Sequence, residues 1–417
     1  GLKILVSPVR FWPEPPFMNK YGKFCMGILR FFLAYVVLVS HCPDGLLTRI
    51  FHPALAVQCF FTISGFYMQL LISEKYNKQS PFYFCKDFYL SRIFRIFPVY
   101  LLILTITFVF ANQGHVLHYL DAGRFELFFY DAFTNIFIIG QSFLRIFPYN
   151  DMLGQFVLSI SDTEIPRGIF GLMTQSWSLD LELLFYILAP FILTIKRLWI
   201  ILVIIIASIS LRFILALNDI NYALNLAWIN EFFPLELATF LLGSIAYRIY
   251  YFLKYELNNI INNKYLIAIQ SLFNKSTSKV SSMKMPIPYL YLFVSFIVIY
   301  YYTKKWAWVY DFGGDWDQGL FGVPHIYWFT LLLNAVFVPI LFELSKNLKL
   351  DSFIGKLSYP LYISHFTIIL LLHKIGIEDQ VFGIYVLACS ILVSIALVLF
   401  IENPITRYRH RKFYKIK

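Results

Sequence analysis

Charge is what this sequence has least of. Only 14% of its 417 residues are Asp, Glu, Lys or Arg, against about 25% in an average soluble domain. Hydrophobic residues make up 59% and aromatics 20%. A chain so poor in charge has too little polar surface to face water on all sides, which makes it an integral membrane protein. Cysteine is also sparse. Cys25, Cys42, Cys59, Cys85 and Cys389 show no CxxC pair and no metal spacing, and most lie in apolar runs, which fits small packing residues. No two intramembrane histidines share a helix at ligand spacing, so no metal is expected. No repeat of fixed period is visible, which counts against an inverted-repeat transporter. The segment 1–23 is polar and Pro-rich with no small-residue cleavage site, so it reads as a cytosolic N-terminal segment rather than a signal peptide.

What the chain does have is long apolar runs. Spans of membrane length fall near 24–42, 54–74, 88–110, 177–195, 197–217, 231–252, 286–302, 323–344, 357–373 and 381–402. The excess of 35 Lys and Arg over 24 Asp and Glu, a formal +11, would suggest nucleic acid in a soluble protein. Here the basic residues sit in loops and report topology, and no nucleic-acid partner is expected. With an inward N-terminus and ten spans, inward segments collect 23 Lys and Arg against 7 outside. If 124–147 also crossed, the count would become 11 inside against 18 outside. The reading is therefore all-α and polytopic, with about ten transmembrane helices, both termini cytosolic and 124–147 as an extracytoplasmic lid or re-entrant segment. Residues 24–402 form the membrane domain, 254–285 a basic cytosolic linker within it, and 403–417 a basic cytosolic tail.

Polar side chains inside the spans are costly and so invite a functional reading. In "ILRFFLAYVVLVSH" Arg30 and His41 are eleven positions apart, which returns the helix to within roughly 20° of its starting face and separates the two by about 16 Å along the axis. Arg92 and Arg95 sit at i,i+3 just inside the cytosolic entrance. They suit a multiply charged phosphate ligand, or equally a pair of snorkelling interface arginines. Ser64 and Gly65 at mid-membrane allow either tight helix packing or close approach of a ligand. Span 4 opens with "QSWSLDLE", placing Asp180 and Glu182 in its first turns, where the helix dipole stabilises carboxylates. Glu182 is expected in the same outer layer as His41, where it could orient the imidazole. Ser358, Tyr362 and His365 share one face at i, i+4 and i+7, and Glu402 ends the last span. In order of depth these residues suggest a polar path through the bundle. The outer loop 310–319 interleaves Asp311, Asp315 and Asp317 with Trp316, which suits a sugar or a plain Gly-rich turn.

The motifs resemble, in order along the chain, those of the acyltransferase-3 family of membrane acyltransferases. Arg30 and His41 match its arginine, ten residues, histidine pattern; "FFTISGF" matches FFxxSGF, and "SRIFRIFP" matches RxxRxxP. "WSLDLE", "SYPLYISH" and "IENP" match WSLxxE, SYxLYxxH and ExP. The resemblance implies transfer of an acyl group, most often acetyl, from cytosolic acyl-CoA to a hydroxyl of an extracytoplasmic or lipid-linked glycan. It also implies a multi-pass protein of a bacterial inner membrane. In that scheme Arg92 and Arg95, with Arg30, Ser64 and Gly65, hold the acyl-CoA. His41 is base or nucleophile with Glu182 beside it, and Trp177, Ser178, Ser358, Tyr362, His365 and Glu402 line the path. The rival from another class is a polytopic transporter or flippase using the same Arg, His and Glu for proton coupling.

Overall fold

In hydrocarbon, backbone amides find no water, so long apolar runs satisfy them internally as helices. The computed structural model describes residues 26–42, 53–76, 81–111, 125–146, 149–150, 155–156, 172–217, 231–256, 325–346, 348–377 and 381–413. The described chain is almost entirely helical. Helix α1 is Gly27–His41 and α2 is Pro53–Leu71, the latter running on as a π turn to Tyr76. Helix α3 is Pro81–Ile106, and α4 and α5 are the short Phe125–Phe137 and Gln141–Ile146. After a two-residue antiparallel ladder pairing Tyr149 with Phe156 and Asn150 with Gln155 come α6 (Trp177–Ile192), α7 (Leu198–Leu217) and α8 (Phe233–Tyr251). Helices α9 (His325–Ser345), α10 (Lys349–Lys374), α11 (Phe382–Leu397) and α12 (Asn403–Phe413) complete it.

Among the described residues, six helical segments are long and apolar enough to cross a membrane: Pro53–Glu74, Phe84–Ala111, Leu198–Leu215, Trp328–Ser345, Lys349–Lys374 and Phe382–Tyr408. Hydropathy had suggested ten. The expected spans 24–42 and 177–195 fold as α1 and α6, whose 15 and 16 residues give lengths of about 23 and 24 Å, short of a hydrocarbon core of about 30 Å. The span at 231–252 folds as α8, which carries Glu236 and Arg248. The expected span 286–302, the segment 1–23, most of the linker 254–285 and the loop 310–319 lie outside the described residues. Part of the expected tail, Asn403–Phe413, is helical as α12.

Helices sort into inner and outer by what they bury. Pro53–Glu74 is 83% buried and Leu198–Leu215 only 22%. The outer surface of α7 leaves Trp199, Val203, Ile206 and Phe213 exposed, apolar area suited to lipid chains. At the centre α2 and α8 touch backbone to backbone. A Cβ on Gly65 would lie 1.8 Å from the Phe240 carbonyl oxygen, and one on Gly243 would lie 1.8 Å from that of Thr62. A second close crossing joins α1 to α10, where a Cβ on Gly27 would lie 1.7 Å from the Asp351 carbonyl oxygen. Gly65 is thus a packing residue, not a passage for a ligand, because the carbonyl of α8 already fills the space its missing side chain leaves.

One buried ion pair ties the outer helix α7 to this centre. Arg212 bonds Glu236 at 3.0 Å, with both side chains almost fully buried. The Glu236 carboxylate also takes hydrogen bonds from Gln58 at 2.5 Å and Thr239 at 2.6 Å. Arg212 lies 5.5 Å from the ring centroid of Trp328. Such a carboxylate is held by several donors at once, which offsets its desolvation.

Within the expected lid 124–147, the described residues 125–146 fold as α4 and α5 around a corner with left-handed backbone at Ile138 (φ 70°) and Gly140 (φ 96°). Asp180, at the start of α6, holds this corner. Its carboxylate accepts from the Ser142 amide at 2.8 Å, the Ser142 hydroxyl at 2.5 Å and the Gly140 amide at 3.2 Å. Tyr100 of α3 donates to the Asn135 carbonyl at 2.6 Å. Neither α4 nor α5, about 20 and 9 Å long, matches the thickness of a bilayer core.

Candidate active site

The site is built on the parallel pair α1 and α10. At one end the Asp351 carboxylate accepts from the amides of Gly27 at 2.8 Å and Ile28 at 3.0 Å. It supplies partners and negative charge to a helix N-terminus whose amides have none within the helix. Ser345 accepts from the Met26 amide at 2.7 Å. Fourteen positions on in both helices, about 21 Å higher, the rings of His41 and His365 meet. His365 Nε2 lies 3.3 Å from His41 Nδ1, with ring centroids 5.2 Å apart. His365 Nδ1 lies 2.7 Å from the Tyr362 carbonyl oxygen, and His41 Nδ1 lies 2.9 Å from that of Val37. His41 is exposed, whereas His365 is fully buried behind it. His365 therefore does not line a path, as its place on the polar stripe of α10 suggested.

Below the histidines lies a cavity of about 80 Å³, lined by Arg30, Ser64, Tyr67, Arg95, Ser178, Glu182, Ser358, Tyr359 and Tyr362 among others. Five elements converge on it: α1, α2, α3, α6 and α10. The Tyr362 hydroxyl is 2.7 Å from that of Ser178 and donates to the Gln175 carbonyl at 3.1 Å. Ser358 donates back to the Gly355 carbonyl at 2.7 Å. Trp177 is half-buried and packs against the core beside them. The volume suits an acetyl group or a few waters, and is well under the roughly 300 Å³ at which cofactor pockets begin.

Glu182 belongs to this cavity. Ser64 donates to its carboxylate at 3.1 Å, Tyr186 donates to the same oxygen, and it acts electrostatically on Arg30 and Arg95. The expected outer layer shared with His41 is not where the carboxylate sits. Ser178 is level with Tyr362, and Glu182 lies one helical turn, about 6 Å, further along α6 toward Arg30. Among the described residues, His365 is a side chain within hydrogen-bond distance of His41. Glu402, in the π turn Val398–Glu402, also acts electrostatically on Arg30 and Arg95.

The two arginines of α3 part company. Arg95 faces the cavity. Arg92 is buried, donates to the Ser91 hydroxyl at 3.1 Å, and lies 6.0 and 5.7 Å from the ring centroids of Phe88 and Tyr186. A guanidinium stacked between aromatic faces is not an open half of a phosphate clamp. Sequence reading passed over Tyr67, Tyr186 and Tyr359. Tyr359 donates to the Ile96 carbonyl at 2.8 Å. Among 29 tyrosines nothing in their spacing singles these out, whereas Asp351, an acid opening an apolar run, was a legible signal.

Comparison with known proteins bears on this arrangement. A family model described as an acyltransferase domain matches residues 24–402. The chain is similar to "O-acetyltransferase OatA" of Staphylococcus aureus strains NCTC 8325 / PS 47, COL and MRSA252, each 24% identical over 402 residues, which cover 92% of this chain and 57% of the relative. It thus spans little more than half the length of these curated relatives. No solved structure matches. Because the family model takes in every polar side chain of the cavity and both histidines above it, the chain belongs to the acyltransferase-3 family.

Proposed function

We propose that this protein is a membrane O-acyltransferase that moves an acyl group, acetyl first among them, from cytosolic acyl-CoA to a hydroxyl of an extracytoplasmic or lipid-linked glycan. The observation that carries the reading is the column of polar groups inside an apolar bundle, from Arg30 and Arg95 through Glu182, Ser178 and Tyr362 to His41. Cations lie at one end of the column and an accessible imidazole at the other. That order fits an anionic donor entering from one side and a neutral hydroxyl arriving from the opposite side.

His41 is the base. The acceptor oxygen attacks the thioester carbonyl carbon as its proton passes to the imidazole. The C–S bond then breaks, and the imidazolium returns the proton to the departing thiolate, leaving an ester and CoA. An acyl-imidazole route would use the same ring as nucleophile. Arg95 and Arg30 are the cations for the phosphates and carbonyls of the donor. The donor's arm needs a wider passage than the present cavity, so α3 and α6 are expected to separate on binding. The bilayer topology belongs to the same reading: ten spans with cytosolic ends in a bacterial inner membrane, the short α1 and α6 enclosed by longer helices rather than lipid, and α4–α5 as the re-entrant element on the outer face. The corner at Ile138–Gly140 and the short length of both helices support that element.

The test is acetyl-CoA turnover by purified protein in nanodiscs, read as free CoA with and without a mixture of cell-envelope glycans. Saturable release, stimulated by glycan, is expected. Folded protein that neither binds nor turns over acetyl-CoA or longer acyl-CoAs would move the assignment to a transporter or flippase.

A further inference from the structure

Resting on the reading of His41 as the base, we infer that His365 is the positioning residue that fixes which nitrogen of His41 carries the proton and where the ring points. The argument starts from carbonyl oxygens, which only accept. His365 Nδ1 faces the Tyr362 carbonyl at 2.7 Å, so Nδ1 is the protonated nitrogen. Its Nε2 then offers a lone pair. The 3.3 Å contact with His41 Nδ1 is accordingly one in which His41 donates. With Nδ1 of His41 protonated, Nε2 is its basic nitrogen, the one that would take a proton from an acceptor hydroxyl.

Val37 does not do this alone. Its carbonyl oxygen lies 2.9 Å from His41 Nδ1, and it also accepts from the Ser40 hydroxyl at 2.7 Å and stands in the helical ladder at the last turn of α1. It is an over-subscribed acceptor at a helix end, where backbone bonds fray. His365 differs in both respects. It is fully buried, it sits in the middle of a 26-residue helix, and among the described residues His41 is the one hydrogen-bond partner at its Nε2. The register that brings the two rings together is set about 21 Å away, where Asp351 bonds the Gly27 and Ile28 amides. A buried acceptor behind an exposed base does for His41 what a carboxylate does in a hydrolase triad: it selects the tautomer and holds the ring's direction. His365 cannot itself touch substrate, since it has no exposed surface.

The test compares His365→Phe, which keeps an aromatic ring and removes the acceptor, with His365→Gln, whose amide oxygen can accept near the position of Nε2. CoA release from acetyl-CoA is measured in nanodiscs beside wild type and His41→Ala. The expected result is a kcat lower by at least about 100-fold in His365→Phe, KM for acetyl-CoA within about twofold, and recovery to within about tenfold of wild type in His365→Gln. Folded His365→Phe with wild-type kcat, or His365→Gln as slow as His365→Phe, overturns the positioning role. Imidazole 15N spectra give a readout that needs no turnover. Wild-type His41 is expected with Nδ1 protonated, and His365→Phe with a mixture of tautomers. An identical His41 spectrum in both proteins overturns the proposal. Turnover that survives His41→Ala removes the reading of His41 as base, and the spectra then decide the role of His365 on their own.

Discussion

Asp351 and Gly27 set the register of α10 against α1. The Asp351 carboxylate takes the Gly27 amide at 2.8 Å, and fourteen positions further along each helix the imidazoles of His365 and His41 meet at 3.3 Å. A slip of one residue at the lower end would turn the upper ring by about 100°. Asp351→Ala is therefore expected to cost about 1–2 kcal/mol of stability, the usual loss of a helix cap, and to lower CoA release while leaving the fold in place. Thermal unfolding and turnover of the same preparation measure both; unchanged turnover would separate the cap from the histidines.

Gly65 and Gly243 form the crossing of α2 with α8, each with a carbonyl where its Cβ would be. Gly65→Ala and Gly243→Ala are expected to lose folded protein outright, because overpacking against a backbone oxygen costs at least about 1–3 kcal/mol and no side chain there can swing away. Ser64→Ala, which removes only a hydrogen bond to Glu182, is expected to fold. Yield of monodisperse protein on size exclusion distinguishes them.

Arg212 and Glu236 are buried together. Removing one leaves the other charged in an apolar interior, at a cost of about 3–5 kcal/mol. Arg212→Met and Glu236→Leu are each expected to lower the melting temperature, and the double variant to recover much of it. Additive losses in the double variant would contradict the pairing.

Arg95 and Arg92 should part in kinetics as they part in space. Arg95→Ala is expected to raise the KM for acetyl-CoA about tenfold, the loss of one charge-assisted contact. Arg92→Ala is expected mainly to destabilise, since its guanidinium is packed by Phe88 and Tyr186. Equal KM effects in both would restore a two-arginine phosphate site.

The sequence already showed a helical membrane protein, and which polar side chains do not belong in lipid. Arg30, Ser64, Arg95, Ser178, Glu182, Ser358 and Tyr362 all line one cavity. Depth along each helix was legible because 1.5 Å per residue is fixed; contact between helices was not. Sequence puts Glu182 beside His41 because both stand near the outer ends of their spans. Gln175 of the turn before α6 bonds the Ile363 carbonyl at 2.8 Å, so α6 starts beside the middle of α10 and carries Glu182 deeper than expected. Gly65 was ambiguous in sequence because a missing side chain serves a neighbouring backbone or a ligand equally well. The α4–α5 corner depends on positive φ at Ile138, a conformation an isoleucine does not advertise.

The central claim is that His41 performs the chemistry. The most direct measurement is single-turnover CoA release by His41→Ala and wild type in nanodiscs, with matched unfolding curves. The account predicts at least about a 1,000-fold loss in the variant, as for removal of an essential general base, with acetyl-CoA binding retained through Arg30 and Arg95. Wild-type turnover in a folded His41→Ala protein would contradict it.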